Sequence, residues 1–257
     1  QCLVGSEMCI RDRVWSMYDY NRGCCDNICY SGVADIFRLP KFSLSFFRTQ
    51  IAEGSMLPSG KMPYEVFIPA YRDEILSDTV MVYGNVDEVE LVLNGKTIRR
   101  QTADKGPDSD YISVPNGGNG KNLHFPPFTF YGVPKERGVL KAVGYHQGKK
   151  VAEYTVKTPG VPERLDITYF ESGKPATKND LLIVYVRMLD KQGVLCPVNG
   201  IPVELSVQGG EIVGPTSYPL EAGVASFLVR TGEISKININ ATGKGFSTRK
   251  SLKVGKE

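Results

Sequence analysis

Gly or Pro interrupts nearly every run of the sequence within a dozen residues, and over 161–257 turn signals recur about every ten residues, which constrains the fold more than any other feature. Apolar and polar residues alternate between them, as around Val89 and Leu91 within DEVELVLNGK. A period of two is typical of strands with one buried face, and the following Asn94-Gly95 suits a type I′ hairpin turn, whose two central residues have positive φ. The sequence therefore predicts a mainly β protein with two tandem immunoglobulin-like β-sandwiches.

Changes in composition divide the chain into five segments. The expected segments are 1–13, 14–51, a Pro/Gly/Ser-rich connection at 52–63, a first sandwich at 64–160 and a second at 161–257. Strands of the second sandwich are predicted at 165–170, 180–189, 203–207, 224–229, 234–241 and 247–254.

Segment 14–51 reads as a strand, a loop and a helix. VWSMY is a short apolar start, and Pro40 suits the first turn of the helix because its missing N–H needs no partner there. The apolar face of the helix consists of Phe42, Phe46, Phe47 and Ile51. This is half of a βα repeat, without a sheet in the chain for its strand to join.

Residues 1–13 stand apart from the rest. Residues 3–13 read LVGSEMCIRDR, which matches, codon for codon, the translation of a common transposase sequencing adaptor. We therefore leave 1–13 out of the fold argument. The alternative is a genuine N-terminal arm. Without these residues the sequence is expected to begin in the middle of a protein at Val14.

Hydropathy, charge and motifs argue against a membrane span, nucleic-acid binding and a phosphate-binding loop. No run approaches the roughly 18 consecutive apolar residues of a membrane span. The formal net charge is +3, and its cations are scattered, unlike those of a nucleic-acid-binding surface. The glycine-rich NGGNGKN differs from a phosphate-binding loop, because Pro115 stands where the first Gly belongs and Asn122 replaces the Ser/Thr. No cofactor is expected.

Two stretches of 14–51 carry a family resemblance. WSMYDYNRG and SGVADIFRLPK resemble the end of the catalytic (β/α)8 barrel of glycoside hydrolase family 2, which includes β-galactosidases and β-glucuronidases. In that family a G-x-x-D-x-x-R-x-P-K run leads into the last barrel helix. The run consists here of Gly32, Asp35, Arg38, Pro40 and Lys41.

The resemblance continues through both predicted sandwiches. VYGNVDEVELVLNGK, FPPFTF and GVLKAVGYHQGKK are similar to the sandwich domain after the barrel in many Bacteroidetes-type β-galactosidases. The second sandwich resembles their immunoglobulin-like C-terminal domain more loosely, with GPTSYPLEAG in place of a common Asn-Gly-Asp-Pro stretch.

The resemblance implies a parent enzyme that hydrolyses β-glycosides with retention. That reaction needs two carboxylates about 5–5.5 Å apart, one as nucleophile and one as acid/base. Both catalytic glutamates of the family belong to earlier barrel strands, which would make the missing N-terminal part of the protein a necessary partner. We expect this chain alone to be inactive.

Three residues are expected to touch the sugar, and each has a structural alternative. Trp15 closes the last barrel strand and would form a hydrophobic floor under the ring, or else belong to the barrel core. Asp19 and Arg22 follow on the loop and would bind sugar hydroxyls, or else form a loop salt bridge. Arg38 and Lys41 are expected to neutralise nearby carboxylates and hold the loop in place.

Three cysteines in the loop leave several states open. Cys24, Cys25 and Cys29 lack the paired knuckles of a zinc site, and both histidines lie in another domain, so no metal is expected. A Cys24–Cys29 disulfide is possible in a periplasmic or secreted parent enzyme, the location that the resemblance suggests. Free thiols are the alternative.

A neutral hexoside, a β-galactoside or related oligosaccharide, is the expected substrate. β-Glucuronidases place an Asn-x-Lys pair in this loop to hold the sugar carboxylate. The aligned residues here are Cys29, Tyr30 and Ser31, which supply no cation. The rival hypothesis is a non-catalytic carbohydrate-binding or adhesive protein, because sandwiches alone do not determine function.

Overall fold

The computed structural model describes residues 16–21, 28–70, 78–104, 123–170 and 175–255. The predictions for 1–13, Trp15, Arg22, Cys24 and Cys25 lie outside these ranges, as does most of the glycine-rich loop. Within the described residues, no helix is long and apolar enough to cross a membrane.

Short elements come first in the chain. They are β1 (Tyr20–Asn21), β2 (Ile28–Cys29), the helix α1 (Phe42–Thr49), β3 (Met56–Leu57) and β4 (Gly60–Lys61). β1 pairs with β2 and β3 with β4, both antiparallel. The strand predicted at the start of segment 14–51 is reduced, over Ser16–Tyr18, to one parallel bridge between Tyr18 and Ala34.

The prediction for the start of the helix was wrong by two residues. The helix begins at Phe42 with Lys41 as its N-cap, so Pro40 lies outside it. The cause is the preceding backbone, because the Lys41 N–H donates to the Val33 carbonyl and Pro40 bridges Ala34. These contacts hold Pro40 and Lys41 in an extended conformation.

Seven strands of the first sandwich lie within the described residues. They are β5 (Val66–Phe67), β6 (Val80–Gly84), β7 (Glu88–Leu93), β8 (Lys96–Thr102), β9 (Phe128–Phe130), β10 (Val139–His146) and β11 (Lys149–Lys157). The strand orders are β11-β10-β7-β8 in one sheet and β5-β6-β9 in the other, and all pairs are antiparallel. Their inner faces share one apolar core.

The predicted hairpin is confirmed in detail. Val89, Leu91 and Leu93 are buried in the core of the first sandwich. Asn94 and Gly95 have φ values of 50° and 81°, as a type I′ turn requires.

Eight strands form the second sandwich. They are β12 (Pro162–Tyr169), β13 (Leu181–Asp190), β14 (Pro202–Gln208), β15 (Gly210–Val213), β16 (Ser217–Pro219), β17 (Val224–Thr231), β18 (Lys236–Gly243) and β19 (Phe246–Lys253). The orders are β12-β13-β17-β15 and β16-β14-β18-β19, around a second apolar core. All six predicted strands are confirmed. The sequence missed β15 and β16, which are short and contain no fully buried residue.

The helix α1 packs against the first sandwich. The Phe42 ring meets the Phe67 ring edge-on at 5.7 Å, and the Phe46 ring meets that of Tyr83 at 5.0 Å. Arg48 forms an ion pair with Glu65 on the same side. The helix therefore has a fixed position relative to this sandwich.

Candidate functional site

The candidate site is the loop of residues 16–41, which carries the G-x-x-D-x-x-R-x-P-K run. Two stretches of its backbone lie side by side, because the Asp19 N–H donates to the Ala34 carbonyl at 3.0 Å and the Ala34 N–H to that of Met17 at 3.1 Å. Gly32 lies where they cross. A Cβ at this position would overlap the backbone of Asp19, so the crossing requires glycine.

Asp19 is the centre of this loop. Its side chain is 3% exposed, and Oδ1 accepts hydrogen bonds from the Gly32 N–H at 2.9 Å and from Lys41 Nζ at 2.6 Å. Lys41 Nζ also donates to the Tyr30 carbonyl at 3.0 Å. Gly32 and Lys41, two residues of the family motif, thus contact Asp19. The ion pair between Asp19 and Lys41 is the loop salt bridge that the sequence offered as the alternative to sugar binding.

Asp35 and Arg38 form the turn before the helix. The Asp35 carboxylate accepts the Leu39 N–H at 2.8 Å, and the Arg38 N–H donates to the Asp35 carbonyl at 3.0 Å. Burial raises the pKa of Asp35, and the nearby Asp19 charge adds to this effect.

Arg38 corrects one expectation from the sequence. Its guanidinium lies 5.6 Å from the centre of the Tyr18 ring and 5.4 Å from that of Phe170, and no carboxylate among the described residues forms an ion pair with it. Its backbone φ of 67° lies in the left-handed region.

The second sandwich holds the loop through Tyr185 on β13. The Tyr185 hydroxyl donates to the Phe37 carbonyl at 2.6 Å. Burial, reinforced by the Asp35 charge, raises the pKa of Tyr185 to about 12, so the hydroxyl keeps its proton at neutral pH. Val184 and Val186 point into the sandwich core, and Tyr185 therefore faces outward, where the loop covers it.

Sequence reasoning missed Tyr185. The signal was present, because β13 reads LLIVYVRMLD and is apolar on both faces, which indicates that something covers its outer face.

A cleft of about 530 Å³ lies between this loop and the second sandwich. Asp19, Tyr30 and Asp35 line it on the loop side, and Tyr218 and Glu221 on the sandwich side. The cleft is mostly apolar, with a few polar groups at its edges.

A metal centre has no support in the described part of the chain. No group of three or more His, Cys, Asp or Glu side chains lies close enough together there to hold an ion. The disulfide and free-thiol alternatives for Cys29 are not resolved, because Cys24 and Cys25 lie outside the described ranges.

Known proteins resemble this chain over nearly its whole length. Residues 77–152 match a domain of unknown function, DUF4982. A solved β-glucuronidase from glycoside hydrolase family 2 superposes with a TM-score of 0.70 at 21% identity, covering 89% of this chain and 23% of that one, which shows a shared fold.

Two β-galactosidases are similar in sequence. That of Thermoanaerobacter pseudethanolicus is 33% identical over 233 residues, which cover 84% of this chain and 29% of the relative. That of Rhizobium radiobacter is 30% identical over 129 residues, which cover 49% of this chain and 92% of the relative. The chain belongs to glycoside hydrolase family 2.

The loop of residues 16–41 carries the sequence motif of glycoside hydrolase family 2. The chain spans less than a third of the length of the Thermoanaerobacter β-galactosidase. Within the family 2 motif, Gly32, Asp35 and Lys41 each have a defined structural task in the loop. The motif is therefore a folded unit as well as a sequence pattern.

Proposed function

We propose that this chain is the C-terminal part of a retaining β-galactosidase whose two catalytic carboxylates lie in a portion of the enzyme outside it. The observation that carries this proposal is the family motif folded as one unit around Asp19, which would close the end of a catalytic barrel. The similarity to two β-galactosidases supports the galactoside part of the proposal.

The described carboxylates of the loop are poorly suited to catalysis by themselves. A retaining mechanism needs one carboxylate that can attack the sugar and a second at about 5–5.5 Å that donates a proton. Asp19 is nearly inaccessible, and its Oδ1 already accepts two hydrogen bonds. Asp35 has a raised pKa, but its carboxylate is held by the Leu39 N–H.

Charge in the loop supports a neutral sugar. A glucuronide needs a cation for its carboxylate, but Lys41 is engaged by Asp19 and Arg38 lies between two aromatic rings. At the position of the glucuronidase Asn-x-Lys pair, this chain has Tyr30 flanked by Cys29 and Ser31.

We assign Asp19 a positioning role in this enzyme, because it holds the loop near the sugar. Trp15 as the floor under the sugar ring and Arg22 as a hydroxyl-binding group complete the proposed substrate contacts. A periplasmic or secreted location stays a prediction.

The full-length enzyme tests this proposal. The gene extended upstream should encode a barrel with two strand-end glutamates, and the purified product should hydrolyse a chromogenic β-galactoside at least about 100-fold faster than the matching β-glucuronide. In that enzyme, Cys29→Asn combined with Ser31→Lys should raise glucuronide turnover, whereas Ser45→Lys on the helix is the matched control. A preference for the glucuronide, or further sandwiches upstream in place of a barrel, would refute the proposal.

A further inference from the structure

Two regions far apart in the sequence form the walls of the cleft. The loop contributes residues 28–42, and the second sandwich contributes β16, the start of β17 and the turn between them. The volume of about 530 Å³ lies within the usual range for small-molecule sites, which are mostly apolar with a few well-placed polar groups.

We propose that this cleft binds a neutral oligosaccharide and that the second sandwich supplies one of its walls through Tyr218, Glu221 and Ser226. The ligand class rests on the proposed function. The assignment of a sugar-binding role to the second sandwich goes beyond it.

Exposed aromatic rings on both walls suit the apolar faces of sugar rings. Tyr30 is 70% exposed and Tyr218 is 37% exposed, so part of each ring can be reached by a ligand, although Lys41 Nζ lies over the Tyr30 ring at 5.9 Å. The Tyr218 ring has a fixed orientation, because it packs edge-on against the buried Phe227 at 5.5 Å. An aromatic ring held in this way offers contact area at little cost in conformational entropy.

Polar groups beside these rings suit hydroxyl groups. Glu221 and Ser226 lie at the cleft, and the Glu221 side chain forms no ion pair with any described residue. A carboxylate of this kind accepts hydrogen bonds from sugar hydroxyls.

The charge of the cleft selects against acidic sugars. Lys41 balances Asp19, and Asp35 and Glu221 remain as acidic groups without a matching cation in the lining. A uronate or sulfated sugar would be repelled by these groups, whereas a neutral sugar would not.

The walls are held together before any ligand arrives. The Tyr185 hydroxyl donates to the Phe37 carbonyl, and Arg38 fills the space between Tyr18 and Phe170. A cleft with fixed walls loses little entropy when a ligand binds.

Titration of the ¹⁵N-labelled 257-residue chain with lactose, followed by NMR, tests the inference. We expect saturable shifts at the amides of Tyr218, Ala222 and Ser226, with a Kd on the order of 1 mM. Glucuronic acid should bind at least about tenfold more weakly, because it is charged.

Single variants test whether lactose binds in the cleft or elsewhere on the surface. Tyr218→Ala should weaken lactose binding about tenfold or more, and Glu221→Gln should weaken it while leaving the fold intact. Tyr131→Ala is the matched control, since Tyr131 is 40% exposed on the first sandwich, and it should bind as the unchanged chain does.

The lactose titration and the assay of the full-length enzyme together distinguish failure of the cleft assignment from failure of the proposed function. Absence of lactose shifts, or shifts confined to other surfaces, would overturn the inference and leave the cleft as a packing surface for protein. If the full-length enzyme hydrolyses galactosides while this chain does not bind lactose, only the cleft assignment fails. Lactose binding at the cleft together with an inactive full-length protein would refute only the proposed function.

Discussion

The β7–β8 hairpin and the loop of residues 16–41 obtain their conformations in different ways. In the hairpin, the turn and the alternation of side chains are local features, and the Thr97 hydroxyl donates to Glu90 seven residues away. Longer contacts add to them, such as the bond from the Val139 N–H to Asn94 at the turn. In the loop, a decisive contact joins Tyr185 to Phe37 across 148 residues. The turn and register of the hairpin are specified by its own residues, whereas the conformation of the loop depends on both sandwiches.

This difference separates the scaffold from the candidate site. An alternating strand and a two-residue turn define the hairpin locally, and the rest of the first sandwich buries its inner face. The loop contains little regular structure and becomes ordered because α1 packs on one sandwich and Tyr185 of the other holds Phe37. Substitutions in the hairpin should therefore lower the stability of the first sandwich as a whole, whereas substitutions in the loop should change the loop alone.

The largest effect is expected in the hairpin. Leu91→Ala removes a fully buried side chain from the first core and should lower the free energy of unfolding by about 2–5 kcal/mol. Denaturant unfolding measures this change. Val92→Ala, on the outer face of the same strand, is the control and should cost much less. Equal losses would mean that the alternation does not define the core.

A smaller effect, confined to the loop, is expected from Tyr185→Phe. The variant leaves the Phe37 carbonyl without its partner, which should cost about 1 kcal/mol. Hydrogen exchange at the Arg38 and Leu39 amides should become several-fold faster, while that at Leu91 stays unchanged. Tyr83→Phe on the first sandwich is the matched control. Unchanged exchange at Arg38 would show that the second sandwich does not hold the loop.

The smallest effects concern the side-chain carboxyls of Asp35 and Asp87, whose pKa values should be shifted in opposite directions. Burial raises the pKa of Asp35, so its contribution to stability is greatest in acid and is lost as pH rises through the raised value. The Gln147 N–H, with His146, lowers the pKa of Asp87, so its contribution is present above the ordinary value and is lost as pH falls through the lowered one.

Carboxyl ¹³C NMR titration measures both groups. Asp35 should titrate above the ordinary aspartate value of about 3.9, and Asp87 below it. Asp35→Asn and Asp87→Asn assign the signals. Titration of both groups on the same side of that value would contradict the expected electrostatic difference between the loop and the first sandwich.

The sequence predicted the scaffold better than the site, for a physical reason. Alternation of Val89 and Leu91 and the Asn94-Gly95 turn are local signals, so the hairpin could be found without a structure. The helix start was misplaced, because the bridge between Pro40 and Ala34 and the bond from the Lys41 N–H to the Val33 carbonyl hold this backbone in an extended form that the helical pattern does not show.

Within the site, the motif residues and one of their contacts were found, whereas the contacts with the second sandwich were not. The ion pair between Asp19 and Lys41 was among the alternatives that the sequence offered. The contact of Arg38 with Phe170 and the role of Tyr185 depend on how the second sandwich packs against the loop, which no local pattern encodes.

A chromogenic β-galactoside assay on the purified 257-residue chain tests most directly whether the catalytic carboxylates lie outside this chain. We expect no turnover above background, because Asp19 is nearly inaccessible and the described loop therefore does not present two accessible carboxylates for a retaining mechanism. Asp19→Asn and Asp35→Asn serve as controls. Turnover in the unchanged chain that disappears in either variant would place a complete active site within this chain and refute the proposed division of the enzyme.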